Sequence, residues 1–251
     1  MARQESYIKL KGKIGDLTFY KTRNGYQARE AKGIDPARIA NDPRFQRTRE
    51  NGSEFGRAIR SGKLLRRAVR PVILADADAG MPNRLSSRLM RVIKSDAVND
   101  RGDRRVLGDN IGLLKGFNFN GNAELSNTFF AEVEASIDRA SGALQAQLPQ
   151  FDPKTYVVYP SGTTHVQFQV VGVAIDFEAE TYELAVTEGE VYPIGEEVPG
   201  TTLDAALSAG STAPIFLIFG INFLQRVDNG KVFPLQNGIY NVLTILEVNG
   251  A

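Results

Sequence analysis

The chain has 251 residues, 42% hydrophobic and 24% charged, with a formal net charge of +1; that suits one large or two small domains with a buried core. It holds no cysteine and a single histidine, His165, which excludes a disulfide framework, a thiolate zinc or iron–sulfur site and any multi-histidine metal centre. The near-zero charge hides two unlike halves: residues 1–110 carry 25 Lys+Arg against 13 Asp+Glu, and residues 111–251 carry 5 against 16, an asymmetry that points to a partner.

The opening, MARQESYIKLKGKIG, has no apolar run long enough for a secretory signal. Cytoplasmic synthesis without a cleaved signal is expected, and a released or surface assembly stays open as the final location. LTFYKTRNGYQARE, from Leu17 to Glu30, reads as a β-hairpin, because Asn24-Gly25 favours a type I′ turn and both flanks are β-formers. After NDPRF, the residues Phe55, Ala58, Ile59, Gly62, Leu65, Val69 and Val72 recur at three- and four-residue spacing. They predict one apolar helix face, with Arg57, Arg60, Lys63, Arg67 and Arg70 opposite. Gly52, Gly56 and Gly62 weaken this helix, and Pro71 ends or kinks it. A second helix begins near Asn83, with Leu85, Leu89, Val92 and Ile93 on one face and Arg84, Arg88 and Arg91 on another. NDRGDRRVLGDNIG then reads as a charged loop.

From about Ala123 the period changes to two. Phe129, Ala131, Val133, Ala135 and Ile137 alternate with Glu132, Glu134, Ser136 and Asp138, predicting a half-buried strand that turns near Ser141-Gly142 into a second. In HVQFQVVGVAIDF the apolar positions are even up to Val170 and odd from Val173, so a β-bulge is predicted at Val171-Gly172. TYELAVTEGEVYPIG is the next strand. PIFLIFGINFLQRV is apolar on both faces and should be covered on both; its apolar run from Ala213 to Leu224 is too short to span a bilayer as a helix and is broken by Pro214 and Asn222. RVDNGKVF is a hairpin on Asn229-Gly230 with Asp228 facing Lys231, and IYNVLTILEV closes the chain. The pattern predicts an α+β, mostly β fold: a basic hairpin and amphipathic helices over 1–110, then an acidic antiparallel β-sandwich of about eight strands over 111–251.

No catalytic constellation accompanies these elements. GRAIRSGKLL resembles a phosphate loop but has five residues between Gly56 and Gly62 where four are needed, and Leu64 stands where a magnesium-binding hydroxyl belongs. Ser161, Thr163 and His165 are close in sequence, but a nucleophile, a base and an orienting group must also meet in space. Asp76 to Asp78 and the acidic run Glu188 to Glu197 lack calcium-loop spacing. No enzyme activity, cofactor, metal or small-molecule ligand is therefore expected.

Gly12, Gly15, Phe19, Tyr20, Lys21, Gly25 and Arg29, followed by Gln46, Arg49 and Phe55, resemble the opening of uncharacterised bacterial proteins of the Bacteroidetes type. In those a G-x-x-G…F/Y-Y-K…G…R hairpin precedes a helical segment and a β-rich half. The resemblance covers mainly the first 70 residues and carries no activity; it leans toward a structural or phage-like protein. The first expectation is self-assembly, head to tail, into a filament, tube or shell. Basic Phe19, Tyr20, Lys21, Arg23, Arg29, Arg57, Arg60, Arg67 and Arg70 surfaces would meet the acidic Glu132, Glu134 and Asp138 face of the next copy. The alternative is nucleic-acid association through Arg57, Arg60, Arg67, Arg70, Arg88 and Arg91.

Overall fold

The computed structural model describes residues 2–30, 34–73, 78–227 and 230–250. The chain divides into two compact units, Met1–Glu50 and Asn51–Ala251, so the division by packing falls well before the division by charge at Asn110.

The first unit is built on four antiparallel strands: β1 (Ala2–Arg3), β2 (Gly12–Ile14), β3 (Leu17–Thr22) and β4 (Gly25–Glu30), in the order β1-β4-β3-β2. The hairpin of β3 and β4 forms as predicted, but its turn differs. Thr22 pairs with Gly25, so Arg23 and Asn24 are the central residues. Asn24 is not among the residues with positive φ, whereas Gly25 has φ +101°. A type I′ turn needs positive φ at both central positions; here the glycine takes the left-handed conformation one place later. Helix α1 (Pro36–Asn41) follows, its first turn capped by the Asp35 carboxylate on the Ala37 amide.

Helix α2 (Gln46–Ala68) begins in the last residues of the first unit; it and α3 (Met81–Lys94) precede the eight strands of the second: β5 (Glu134–Asp138), β6 (Ala143–Leu148), β7 (His165–Asp176), β8 (Thr181–Pro193), β9 (Thr201–Ala206), β10 (Ile215–Arg226), β11 (Val232–Pro234) and β12 (Val242–Asn249). They form a three-stranded sheet, β5-β6-β9, and a five-stranded sheet in which β10 pairs with β7 on one side and with β12 and β11 on the other, and β7 pairs with β8. All pairings are antiparallel, and the strands make a half-barrel. The expected two-sheet sandwich is thus met only in its mixed, antiparallel character, because the five-stranded sheet also carries the helices on its other face.

Two cores result. Val166, Phe168, Val170 and Ala174 of β7, with Ile215, Leu217, Phe219, Ile221 and Phe223 of β10, meet Leu144, Ala146, Leu148, Leu203 and Ala205 of the smaller sheet. On the opposite face, Val171, Val173 and Ile175 of β7 and Phe216 and Ile218 of β10 meet Leu65, Leu85, Leu89, Val92 and Ile93 of the helices. This double cover corrects the expected bulge at Val171-Gly172. The apolar positions change phase because helices cover the second face only from Val171 onward, and the backbone of β7 does not slip. The pairing irregularity lies instead between Gln167 and Gln169, where β8 holds the extra residue. The hairpin of β10 and β11 closes through Val227 N to Lys231 O, 2.9 Å; the predicted facing of Asp228 and Lys231 involves Asp228 and Asn229, outside the described residues.

The helices obey the predicted period with a rotated stripe. Helix α2 buries Glu54, Ala58, Ser61, Gly62, Leu64, Leu65 and Ala68, while Phe55 and Ile59 remain 53% and 43% exposed. Gly62 sets the stripe: a Cβ there would stand 3.3 Å from Leu89 Cδ1 and 3.6 Å from Leu85 Cγ, so α3 closes on α2 at its glycine. The helix ends at Ala68, before Pro71.

The charged loop after α3 is tied down rather than free. The Asp96 side chain, 3% exposed, accepts from the amides of Val98, Asn99 and Arg105 and from Asn99 Nδ2 at 2.8–3.0 Å. Burial acts to raise its pKa, but these four hydrogen bonds prevail and lower it from 3.8 to about 2. A depressed pKa contributes stability that is present above the unfolded value and lost as pH falls through the folded one. We expect stability to decline between pH about 4 and about 2 through this residue. Asp96→Ala should cost about 2–3 kcal/mol at neutral pH and flatten that acid limb, as measured by urea unfolding at several pH values; an unchanged acid limb would contradict the assignment.

Candidate functional site

Directly paired residues on neighbouring strands share a face of the sheet, so register sorts the first unit's side chains. Ala2, Ile14, Leu17, Phe19, Lys21, Tyr26, Ala28 and Glu30 stand on one face, and Arg3, Lys13, Thr18, Tyr20, Thr22, Gln27 and Arg29 on the other. One face is mainly apolar, the other basic and polar. No described residue of this unit is buried, and on the apolar face Ile14 and Leu17 are 60% and 45% exposed. Cations lie against the aromatics on both faces: Lys21 Nζ is 5.6 Å from the Tyr26 ring and the Arg29 guanidinium 5.6 Å from the Tyr20 ring. Of the residues expected to serve assembly, Phe19 and Lys21 therefore share one face, Tyr20 and Arg29 the other, and Arg23 sits in the turn.

The arginines of the helices do not form one surface. Arg57 is turned into the protein, where its Nη1 donates to Gly102 O and Arg104 O and its Nη2 meets Asp103. Buried Glu54 accepts from the Gly102 amide at 2.9 Å, so this pair of α2 residues holds the 101–105 loop. Arg60 borders a cleft with Glu178 and Glu180. The Arg67 guanidinium lies 5.8 Å from the Tyr182 ring. Arg67 and Arg70 border a separate cavity. Arg88 and Arg91 line a groove along α3 with Asn83, Arg84 and Ser87. On the acidic side, Glu132, Glu134 and Asp138 are all exposed. Register continues the outer face of β5 into Gln145, Gln147, Thr202 and Asp204. Hydrogen bonds from Ser141 Oγ and the Ala140 amide hold the Asp138 carboxyl below its usual range.

The serine–threonine–histidine cluster does not assemble. Thr163 Oγ1 donates to Pro160 O at 2.7 Å, and the partner of His165 Nδ1 is Thr164 Oγ1 at 2.8 Å, itself accepting from the Arg226 amide. Burial first, then the nearby Arg226 charge, pushes the His165 pKa down against the opposing pull of Glu196, so the ring is neutral at neutral pH. Asp76 lies outside the described residues. Asp78 accepts from Arg84 and from the Gly80 and Gly121 amides; burial acts to raise its pKa, but these bonds prevail and lower it. Among the described residues no three acidic or histidine side chains are grouped to hold a metal ion, and no helix is long and apolar enough to cross a membrane.

A feature missing from the sequence reading is the cavity beside α2. It spans about 610 Å³ and is bordered by Lys63, Arg66, Arg67 and Arg70, with Gln169 and Asn222 on the sheet beneath and Asn241 just before β12. The signal was present: these four cations recur at i, i+3, i+4 and i+7. The amides come from distant strands that only the fold brings together.

Compared with known protein families, curated proteins and solved structures, the chain matches none. Function must then be sought in its own geometry. The basic residues already separate by role. Arg57→Ala should lower stability by about 1–3 kcal/mol, since two loop carbonyls lose a charged donor, whereas Arg60→Ala should stay within about 0.5 kcal/mol. Chemical unfolding of the two variants checks this; equal effects would place Arg57 among the merely solvated charges.

Proposed function

We propose that the protein is a non-enzymatic structural protein that associates with copies of itself, the sheet of one copy's first unit docking on the second unit of the next. The observation that carries the reading is the exposed apolar face of that sheet. Strand pairing gathers Ile14, Leu17, Phe19, Tyr26 and Ala28 together, yet no described residue of the unit is buried. An exposed apolar sheet face is a site for association. Charge favours a second copy as the cover. Residues 1–50 carry 12 Lys+Arg against 6 Asp+Glu and residues 51–251 carry 18 against 23, so unlike surfaces would attract and orient one another. Such a contact joins two different patches and propagates into a ring or an open filament, tube or shell.

Sedimentation of the full chain at rising concentration, in low and high salt, tests the reading. Oligomers should grow with concentration and weaken with salt, and Leu17→Glu or deletion of residues 1–30 should leave a folded monomer. A wild-type chain that remains monomeric at all concentrations would overturn it.

A second reading, association with nucleic acid, draws support from the α3 groove, where Arg88 and Arg91 stand beside hydrogen-bonding Asn83 and Ser87. It expects binding to mixed DNA or RNA that falls steeply with salt. Charge reversal at Arg88 and Arg91 should abolish it in a mobility-shift assay. Absence of any shift at low salt would remove this reading.

A further inference from the structure

The cavity beside α2 has three kinds of wall. Lys63, Arg66, Arg67 and Arg70 form one side, Val72, Ile73, Met81, Phe119 and Leu243 supply apolar surface, and amides cover the sheet floor. None of the four cations forms an ion pair with a carboxylate among the described residues. Like charges three and four apart on a helix repel; Asp78, the acid among the described lining residues, is itself held by Arg84 and by the Gly80 and Gly121 amides.

The floor supplies the independent observation. Gln169 is 4% exposed, lines the cavity, and its carboxamide makes no hydrogen bond with any described residue. Its polar end opens on the cavity rather than being sealed in the core, so a solvent or ligand group can meet it. Room is kept for it: a Cβ on Gly220, the neighbour across the strand pair, would fall 2.6 Å from Gln169 Nε2. The bare glycine lets the carboxamide lie in this position. Beside it, Asn222 accepts from Asn241 Nδ2 at 2.8 Å, and its own amide hydrogens have no described partner. Asn241 Oδ1 is taken by the Phe223 amide at 3.0 Å, and Asn120 is occupied by carbonyls of Ile239 and Asn241. Gln169 and Asn222 are thus the floor groups left for a ligand.

We propose that this cavity binds a small organic phosphate of mononucleotide size. The phosphate would meet the cations of α2, where guanidinium groups suit its oxygens. The uncharged body would lie against Met81, Phe119 and Ile73. Its hydrogen-bonding edge would face Gln169, because a carboxamide presents a donor and an acceptor side by side, the pattern a nucleobase edge answers. The volume lies within the usual range for small-molecule sites. This inference is independent of self-association: it uses only the second unit, and its readouts do not depend on oligomeric state.

The test is calorimetric titration of the full chain with each of the four ribonucleoside monophosphates up to about 5 mM, with inorganic phosphate alone as the comparison. At least one monophosphate should bind, and inorganic phosphate should bind at least about tenfold more weakly for lack of the body. Arg70→Glu and Lys63→Glu should each weaken binding by about tenfold or more. Gln169→Leu should weaken it about threefold to tenfold without lowering the unfolding temperature of the free protein, since no protein partner is lost. A 5′-phosphorylated oligonucleotide binding as tightly as the free monophosphate assigns the site to a strand end, and weaker binding assigns it to the free molecule. Failure of all four monophosphates, or equal binding by inorganic phosphate as an adventitious ion only, overturns the proposal. So does unchanged affinity in Gln169→Leu.

Discussion

Strands β7 and β10 pair without interruption from Ile215 opposite Ala174 to Leu224 opposite His165, and over half of that length both faces of the pair are buried. The rest of the second unit follows from this constraint. A strand pair apolar on two faces needs two covers. The three-stranded sheet supplies one and the α2–α3 layer the other. Phe168, Phe216, Phe219 and Phe223 are fully buried; burying each large apolar side chain is worth about 1.5–3 kcal/mol, so leaving either face open would forfeit a large part of the folding free energy.

The helical cover is shorter than the strands it covers. Where it stops, the inward positions change from Val171, Val173 and Ile175 to Gln169 and Gln167 on β7, and from Phe216 and Ile218 to Gly220 and Asn222 on β10. Polarity of the floor and the end of the helical layer thus coincide, and the cavity lies at their junction. The same helix that closes the core through Leu65 and Gly62 presents its cations at that edge. One amphipathic element therefore serves both packing and the electrostatics of the proposed binding site.

The first unit is governed by the opposite condition. Its strands sort side chains by face as any sheet does, but no described residue of the unit is buried. The three motif glycines Gly12, Gly15 and Gly25 all have positive φ, a backbone state in which most residues are strained. Those residues of the opening hairpin are accordingly fixed by turn geometry. That explains their spacing physically without attaching any activity to it.

Periodicity in the sequence determined the helices around Leu65 and Leu89, the hairpins at Gly25 and Gly142, the strands of the second half except β9, which was not read, and the burial of β10 on both faces, because local patterning follows from which side chains must leave water; the alternation read from Phe129 becomes a strand only from Glu134. The charge division was also legible, being a matter of counting. What only the tertiary structure decided was which neighbours each pattern met. Packing of α3 at Gly62 rotated the buried stripe of α2 away from Phe55 and Ile59. The length of the helical layer produced the change of phase in β7 that alternation alone reads as a bulge. The loop after Lys94 drew Arg57 inward by offering it two carbonyls. Gln169, Gly220 and Asn222 are unremarkable strand residues in sequence, and they gain meaning only where strand pairing and the end of a helix bring them beside four cations. Contacts between residues far apart in the chain depend on register and on how layers end, and neither is encoded in the period of any single segment.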